Sequence, residues 1–232
     1  MIIKSHKDLA NQIAGKAILH LNSLGKDSIV CLEWLTRFAR PSRIVSVMYE
    51  FMAQHPSDKA YLNYLKKRYP TVEFIVEPNS NELNNIVSGF YQSPIEFIFY
   101  LARLEYDTFE RHLQTKELKE KYGCDYVCSG FSKYESFARA TKFHKKGILI
   151  GDEIFPLGMM TKDQVLSVIK NGSVKLHPCY KLNKSTFDYP TYWKMRSTFL
   201  TNPEYRKTML RVYPLLELDE YRYEVLLKGQ KK

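Results

Sequence analysis

The sequence predicts an α/β protein: a doubly wound, mainly parallel five-stranded sheet followed by a C-terminal helical or irregular elaboration. Three observations carry that prediction. Apolar runs recur at Ala17–Leu21, at Arg43–Tyr49, where β-branched residues cluster, and at Val72–Val76, each suited to a buried strand. Segments with three- and four-residue apolar spacing lie between them, so consecutive strands pair in parallel through right-handed crossovers. At 232 residues, 44% hydrophobic and 14% aromatic, the chain can also bury one sizeable core.

In chain order, residues 3–15 read as a leading helix, with Ser5 as cap and Leu9, Ile13 and Ala14 on the inner face. The strand Ala17–Leu21 follows. Beyond the polar segment Asn22–Ser28, a helix is marked by Ile29, Leu32, Glu33, Leu35 and Phe38. Arg40-Pro41-Ser42 breaks the chain before the second strand. The helix from Lys59 to Tyr69 carries Tyr61, Leu62, Leu65 and Tyr69 on one face and is stopped by Pro70. Glu82–Tyr91 is a short helix or an irregular segment. Pro94–Tyr122 is one long helix or two abutting ones, with Phe97, Leu101, Leu104, Phe109 and Leu113 inside. Asp125–Cys128 is a fourth strand, a loop dense in charge is expected from Phe131 to Lys146, and 148–150 and 153–156 offer two short strands. A helix runs from Thr161 to Lys170, capped by Thr161, with Val165, Leu166 and Ile169 turned inward.

Net charge is +10, which suits an anionic partner such as a nucleotide, a polyphosphate or a nucleic acid. Between Lys181 and Lys232 eleven Lys/Arg stand against six Asp/Glu, interleaved with aromatics. That tail either meets a single strand of nucleic acid or wraps the sheet as packing. Cys31, Cys124, Cys128 and Cys179 have no metal-ligand spacing and read as buried, reduced thiols. No secretory leader and no apolar run of bilayer-spanning length is recognised, so a soluble, cytoplasmic protein is expected. Residues 1–180 are expected to form the main domain and 181–232 a basic extension packed on it.

The junction after the first strand is where chemistry is expected. A strand, a glycine-bearing turn and a helix N-terminus direct backbone N–H groups and the positive end of a helix dipole at an anion. Lys26 adds a cation, and Ser23 and Ser28 add hydroxyls. Ser23-Leu24-Gly25-Lys26-Asp27-Ser28 resembles the S-x-G-K-D-S signature of the PP-loop ATP pyrophosphatase superfamily and is not a Walker A pattern. Glycine is usual where Leu24 stands, and a leucine there is expected to avoid positive φ.

Two later stretches agree. Cys128-Ser129-Gly130-Phe131-Ser132-Lys133-Tyr134-Glu135-Ser136-Phe137-Ala138-Arg139 resembles the G-x-R-x-x-E-S-x-x-R motif of phosphoadenosine phosphosulfate (PAPS) reductases. Gly130, Glu135, Ser136 and Arg139 match, while the motif's first arginine is absent and Lys133 or Lys142 would supply its charge. Arg139 either forks onto a phosphate or sulfate or pairs with Glu135 four residues earlier on a helix. Pro156 to Tyr180 is similar to the family's nucleotide-capping segment, with Met160 at a tryptophan position. The chain thus resembles the Rossmann-like adenine nucleotide α-hydrolase-like proteins, most closely PAPS reductases and the small subunit of ATP sulfurylase.

The resemblance implies an adenine nucleotide, ATP or a relative such as PAPS, with its phosphates over Ser23, Leu24, Gly25, Lys26, Asp27 and Ser28. In ATP-using members cleavage falls between the α- and β-phosphates and pyrophosphate leaves. It further implies catalytic roles for Lys26, Asp27 and Arg139, Mg²⁺ held at Asp27, and nucleotide contacts from Gly130, Lys133, Glu135, Ser136 and Arg139. Glu50 would touch the ribose or lie in solvent. PAPS reductases use a C-terminal cysteine, and no cysteine follows Cys179 here, so thiol-based reduction is not expected. The tRNA-thiolating branch uses two cysteines, of which only Cys128 has a candidate position. The expected activity is ATP cleavage that activates or adenylates an acceptor. The alternatives are a PAPS- or APS-using enzyme and a non-catalytic nucleotide-binding subunit of a nucleic-acid modification system. An anionic co-substrate and a homo-oligomer or partner subunit are compatible with this reading, and a membrane is not expected.

Overall fold

The structure, a computed structural model, describes residues 2–50, 53–79, 111–183 and 192–227. The chain divides into two compact units. One comprises Met1–Tyr49, Tyr61–Glu77 and Thr115–His177, and the other Glu50–Ala60, Pro78–Gln114 and Pro178–Lys232.

The first unit is built around a sheet of six strands, in the order β3-β2-β1-β4-β6-β5. These are β1 (Ala17–Leu21), β2 (Arg43–Glu50), β3 (Val72–Pro78), β4 (Tyr126–Cys128), β5 (Leu149–Ile150) and β6 (Glu153–Ile154). β1 is parallel to β2 and β4, and β4 to β6, while β5 runs antiparallel at the edge as the strand beyond the expected five. The chain moves outward from β1 through β2 to β3, then returns to the far side of β1 as β4. That reversal puts a topological switch point at the C-terminal ends of β1 and β4, where open α/β sheets bind ligands.

Helices α1 (His6–Ile13), α2 (Lys26–Trp34), α3 (Asp58–Arg68), α4 (Arg111–Lys121) and α6 (Lys162–Gly172) follow the expected spacing, whereas α5 (Phe137–Lys146) stands where a charge-dense loop was expected, because Phe143 gives it a buried face. Ser5 caps α1 by accepting from the Asp8 N–H at 3.1 Å, and Leu9 and Ile13 are fully buried. In α6 the Thr161 hydroxyl and the Gln164 amide cap each other's backbone N–H groups. The expected helix over 82–91 and the part of the next before residue 111 lie outside the described residues. No helix among the described residues is long and apolar enough to cross a membrane.

Three inward positions are corrected, the first being Ala14, which is exposed because α1 ends at Ile13. Phe38 is 61% exposed and Leu166 is 44% exposed. α2 runs into a π-helical turn, Leu35–Ala39, whose wider winding carries Phe38 off the apolar stripe. In α6 adjacent residues point about 100° apart, and Val165 takes the core position. The close packing of α6 is visible at Gly172, where a Cβ would stand 2.9 Å from a Glu33 carboxylate oxygen.

Glu33, only 1% exposed in α2, is the main charge inside this unit. Its carboxylate takes Arg37 Nε at 2.6 Å, Arg68 Nη2 at 3.2 Å and the Tyr69 hydroxyl at 2.5 Å. Those donors replace the water that a buried carboxylate loses. Burial and then the Glu33 hydrogen bond raise the Tyr69 phenol above its ordinary range. The cluster ties α2 to α3.

The second unit contains α7 (Cys179–Asn183), α8 (Tyr192–Thr201), α9 (Pro203–Val212) and α10 (Leu216–Tyr221). Tyr192, Met195, Phe199, Tyr205, Met209, Val212, Tyr213 and Leu216 form its apolar cluster. Asn202 caps α9 with Pro203 at the first position. Arg196 pairs with Glu224, Arg206 with Glu220 and Lys207 with Glu204. Of the tail's aromatics, Tyr192, Phe199, Tyr205 and Tyr213 are interior packing while Trp193 and Tyr221 are exposed, and three of its cations are answered within the tail.

Candidate active site

Asn22 to Ser28 link β1 to α2. Gly25 is the N-cap residue of α2, with extended φ −78° and ψ 161°, and provides no side-chain cap. Unlike Ser5 or Thr161 at their helices, it leaves the positive end of α2 without a side-chain acceptor, the arrangement that receives anions. Ser28 Oγ donates to the Gly25 carbonyl at 2.9 Å and stands 3.3 Å from Ser23 Oγ. The Gly25 N–H reaches Ser23 Oγ at 3.4 Å.

Leu24 overturns one expectation. Its φ is +56°, the left-handed region that a leucine was expected to avoid. Its side chain is 5% exposed within the main core and its N–H donates to Asn22 Oδ1 at 2.9 Å. Left-handed backbone costs an L-residue roughly 1–2 kcal/mol, whereas burying a leucine contributes about 1.5–3 kcal/mol. Burial wins, so the glycine usual at this position is not required.

A buried chain of polar groups beneath the loop is absent from the sequence reading. His20 and Asn22 come from β1 and its exit, and Ser46 from β2. His20 Nε2 lies 2.9 Å from the Ser28 carbonyl and Nδ1 lies 3.0 Å from Ser46 Oγ. A carbonyl only accepts, so the proton sits on Nε2, and Nδ1 accepts from the Ser46 hydroxyl. Ser46 Oγ in turn accepts from Asn22 Nδ2 at 3.1 Å. The direction of every bond is thereby fixed from α2 through β1 and β2 back to the Leu24 N–H. Burial pushes the His20 imidazole down to about 4, against the Ser28 hydrogen bond, so the ring is neutral near pH 7. The apolar run Ala17–Leu21 conceals this histidine as an ordinary strand residue.

Above the loop, Lys26 Nζ meets Asp27 Oδ2 at 2.5 Å and the Tyr134 hydroxyl at 3.2 Å. Tyr134 also donates to Asp27 Oδ1 at 2.7 Å. Burial opposes the Lys26 charge, but Asp27 and Tyr134 outweigh it and hold the ammonium above its ordinary value. Burial, then the hydrogen bond to Asp27, raise the Tyr134 phenol. Tyr134 lies inside the second motif at a position that the motif leaves variable.

Gly130 follows β4 and explains why the two motif loops meet. A Cβ there would stand 3.0 Å from both Asp27 C and Ser28 N, so only glycine lets the β4 loop rest on the loop backbone. Ser132–Glu135 form a short 3₁₀ turn in which Glu135 Oε2 accepts the Ser132 N–H at 2.9 Å. Ser136 is extended, breaks this turn from α5, and caps α5 through the Arg139 N–H at 3.2 Å. Glu135 and Arg139 therefore do not share one continuous helix, the alternative in which they would simply pair four residues apart. The two side chains nevertheless pair, and the Arg139 guanidinium lies 4.3 Å from the Phe131 ring centre. Lys133 is half-buried in the 3₁₀ turn. Glu50 ends β2, half-buried, and its carbonyl accepts from the Asn79 N–H at 3.2 Å.

None of the four cysteines forms a disulfide, and all are buried. Burial, followed by the neighbouring Cys128, raises the Cys31 thiol well above its usual range, and burial raises Cys179 to about 12. For a divalent ion the donor set holds one carboxylate, that of Asp27. This fits Mg²⁺, which commonly takes one or two carboxylates together with substrate phosphates.

Comparison with known proteins agrees with this geometry. A family model of the phosphoadenosine phosphosulfate reductase domain matches residues 17–191. The chain belongs to that family, and so to the adenine nucleotide α-hydrolase-like PP-loop superfamily. Among solved structures it is similar to phosphoadenylyl-sulfate reductase from Candida auris in a phosphate complex. Identity is 13% over 80% of this chain and 88% of that one, with a TM-score of 0.50, a likeness of fold. The U34-tRNA thiolase NcsA of Methanococcus maripaludis aligns at 14% identity over 95% of this chain and 79% of its own, with a TM-score of 0.49. The NH3-dependent NAD synthetase of Campylobacter jejuni aligns at 14% identity over 97% and 90%, with a TM-score of 0.47. No curated protein matches the chain.

Proposed function

We propose that this protein is an adenine-nucleotide enzyme that cleaves ATP between the α- and β-phosphates and activates an acceptor with the adenylyl group. The observation that carries the reading is the α2 N-terminus. It has no side-chain cap, carries Lys26 in its first turn and lies against the backbone at Gly130. In this reading the acceptor's nucleophile bonds to the α-phosphorus, the α–β bridging bond breaks toward pyrophosphate, and the acceptor's proton passes to solvent. Lys26 and the loop amides neutralise the departing pyrophosphate, which is where charge develops. Ser23 and Ser28 orient its oxygens. Asp27 would hold a Mg²⁺ that arrives with the phosphates and shares their charge.

Arg139 serves the far end of the nucleotide or an anionic co-substrate once it leaves Glu135, with Lys133 beside it and Ser136 setting the helix start. Glu50 is assigned to the ribose. The nucleotide function is assigned to residues 1–180. Four buried thiols, three of them raised above their ordinary range, support a route without a thiolate nucleophile. Membership in the PAPS reductase domain family favours a second reading, in which PAPS or APS is the ligand and Arg139 meets its sulfate or phosphate. Thermal shift with ATP, APS and PAPS, joined to a pyrophosphate-release assay, separates the two. The first reading expects the largest shift with ATP and pyrophosphate release with a suitable acceptor. Stabilisation by PAPS alone would sink it.

A further inference from the structure

Helix α5 begins three residues beyond Tyr134, the side chain that touches Lys26 and Asp27. Its first residue, Phe137, is 88% exposed, the most exposed large apolar side chain among the described residues. Such exposure is not a packing requirement, because the helix already places Phe143 in the core at 1% exposure. Lys142, His144, Lys145 and Lys146 are all exposed along this helix. With about 100° per residue, His144 falls in line with Phe137 and Lys145 lies about 80° round the helix from it. Lys4 joins the C-terminal end of this surface, since the carbonyl of the preceding Ile3 accepts from the Ile148 N–H at 2.8 Å.

Between Ser129 and Gly147 five Lys/Arg stand against a single acidic residue, Glu135, which Arg139 occupies. Lys133, Lys142, Lys145 and Lys146 form no ion pair among the described residues. Two neighbouring rings are already covered by cations, Phe131 by Arg139 and Phe155 by Lys142. Phe137 remains outward.

We propose that this face of α5 binds a single-stranded nucleic acid and brings it to the nucleotide loop. Lysines at helical spacing suit successive phosphates, and an exposed ring at the loop end suits one unstacked base. A lipid surface fits less well. Membrane-binding helices lower a broad apolar face into the bilayer, whereas the apolar side of α5 is turned into the protein and only Phe137 projects. The C-terminal segment, where the sequence suggested a nucleic-acid surface, buries Tyr192, Phe199, Tyr205 and Tyr213 and pairs Arg196 and Arg206 internally. In naming the strand as second ligand of the loop the proposal rests on the nucleotide reading. Binding to the helix itself does not.

The test is fluorescence anisotropy with fluorescein-labelled single-stranded DNA and RNA of about 20 nucleotides, alongside vesicles of anionic phospholipid. The wild-type protein, the double variant Lys142→Glu/Lys145→Glu and Phe137→Ala are compared, with circular dichroism confirming the fold. Charge reversal should weaken strand binding at least about tenfold and flatten the salt dependence by roughly 0.7 per lost phosphate contact. Phe137→Ala should weaken it about tenfold with the salt slope kept. Equal binding by all three proteins, or binding of vesicles but not strands, would overturn the proposal. Whichever of DNA and RNA binds more tightly names the polymer. If ATP fails to stabilise the wild-type protein while strand binding behaves as expected, the nucleotide reading falls and this surface stands.

Discussion

Replacing His20 by glutamine tests the wiring beneath the loop. The imidazole donates to the Ser28 carbonyl at 2.9 Å and accepts from Ser46. A glutamine amide offers a donor and an acceptor without titrating. In the folded state burial lowers the His20 pKa from 6.5 to about 4. The folded value is below the unfolded one, so the corresponding stability is fully present above pH 6.5 and is lost as pH falls toward 4. A tenfold change in proton affinity corresponds to about 1.4 kcal/mol, so the loss approaches roughly 3 kcal/mol at the acid end. Urea unfolding from about pH 7.5 down to about pH 4 measures it. Wild type should lose about 3 kcal/mol more than His20→Gln over that range, and the variant should start lower at neutral pH. Parallel curves for the two proteins would refute the argument, since the imidazole would not then be held neutral by burial.

Gly130→Ala should lower stability by about 1–3 kcal/mol, because the added methyl group meets the Asp27 and Ser28 backbone rather than a yielding side chain. Scanning calorimetry should show a Tm drop of several degrees, and an unchanged Tm would mean the two loops can part freely. Tyr134→Phe removes the hydroxyl shared by Asp27 and Lys26. At so exposed a site that contact contributes at most about 1 kcal/mol. Titration calorimetry with pyrophosphate should therefore show binding tightened by up to about fivefold. Weaker binding would mean the tyrosine hydroxyl is itself part of the anion site.

Elements whose burial follows their own period were legible in the sequence. β1, β2 and β3 and helices α1, α3 and α6 appear where spacing, caps and Pro70 placed them, and the glycine-bearing turn after β1 lies at the switch point. What escaped depends on contacts distant in sequence. The left-handed backbone at Leu24 is tolerated because the side chain reaches a core that no local rule reveals. Phe38 turns outward because a π-turn changes the helical period, and α5 forms in a stretch whose dense charge reads as a loop because Phe143 reaches the core. His20, Ser46 and Asn22 look ordinary until parallel pairing sets His20 beside Ser46. The aromatic tail illustrates the opposite difficulty. Exposed stacking and interior packing favour the same residue types, and only burial separates Phe137 from Phe199.

The proposed activity requires phosphate recognition at the N-terminus of α2. Isothermal titration of ATP with Mg²⁺ into the wild-type protein and into Lys26→Ala tests it most directly. The predicted result is saturable binding by wild type and at least a tenfold loss in the variant, about 1.4 kcal/mol, with an unchanged circular dichroism spectrum. Equal ATP affinity in the two proteins would contradict the assignment of this loop to the nucleotide phosphates.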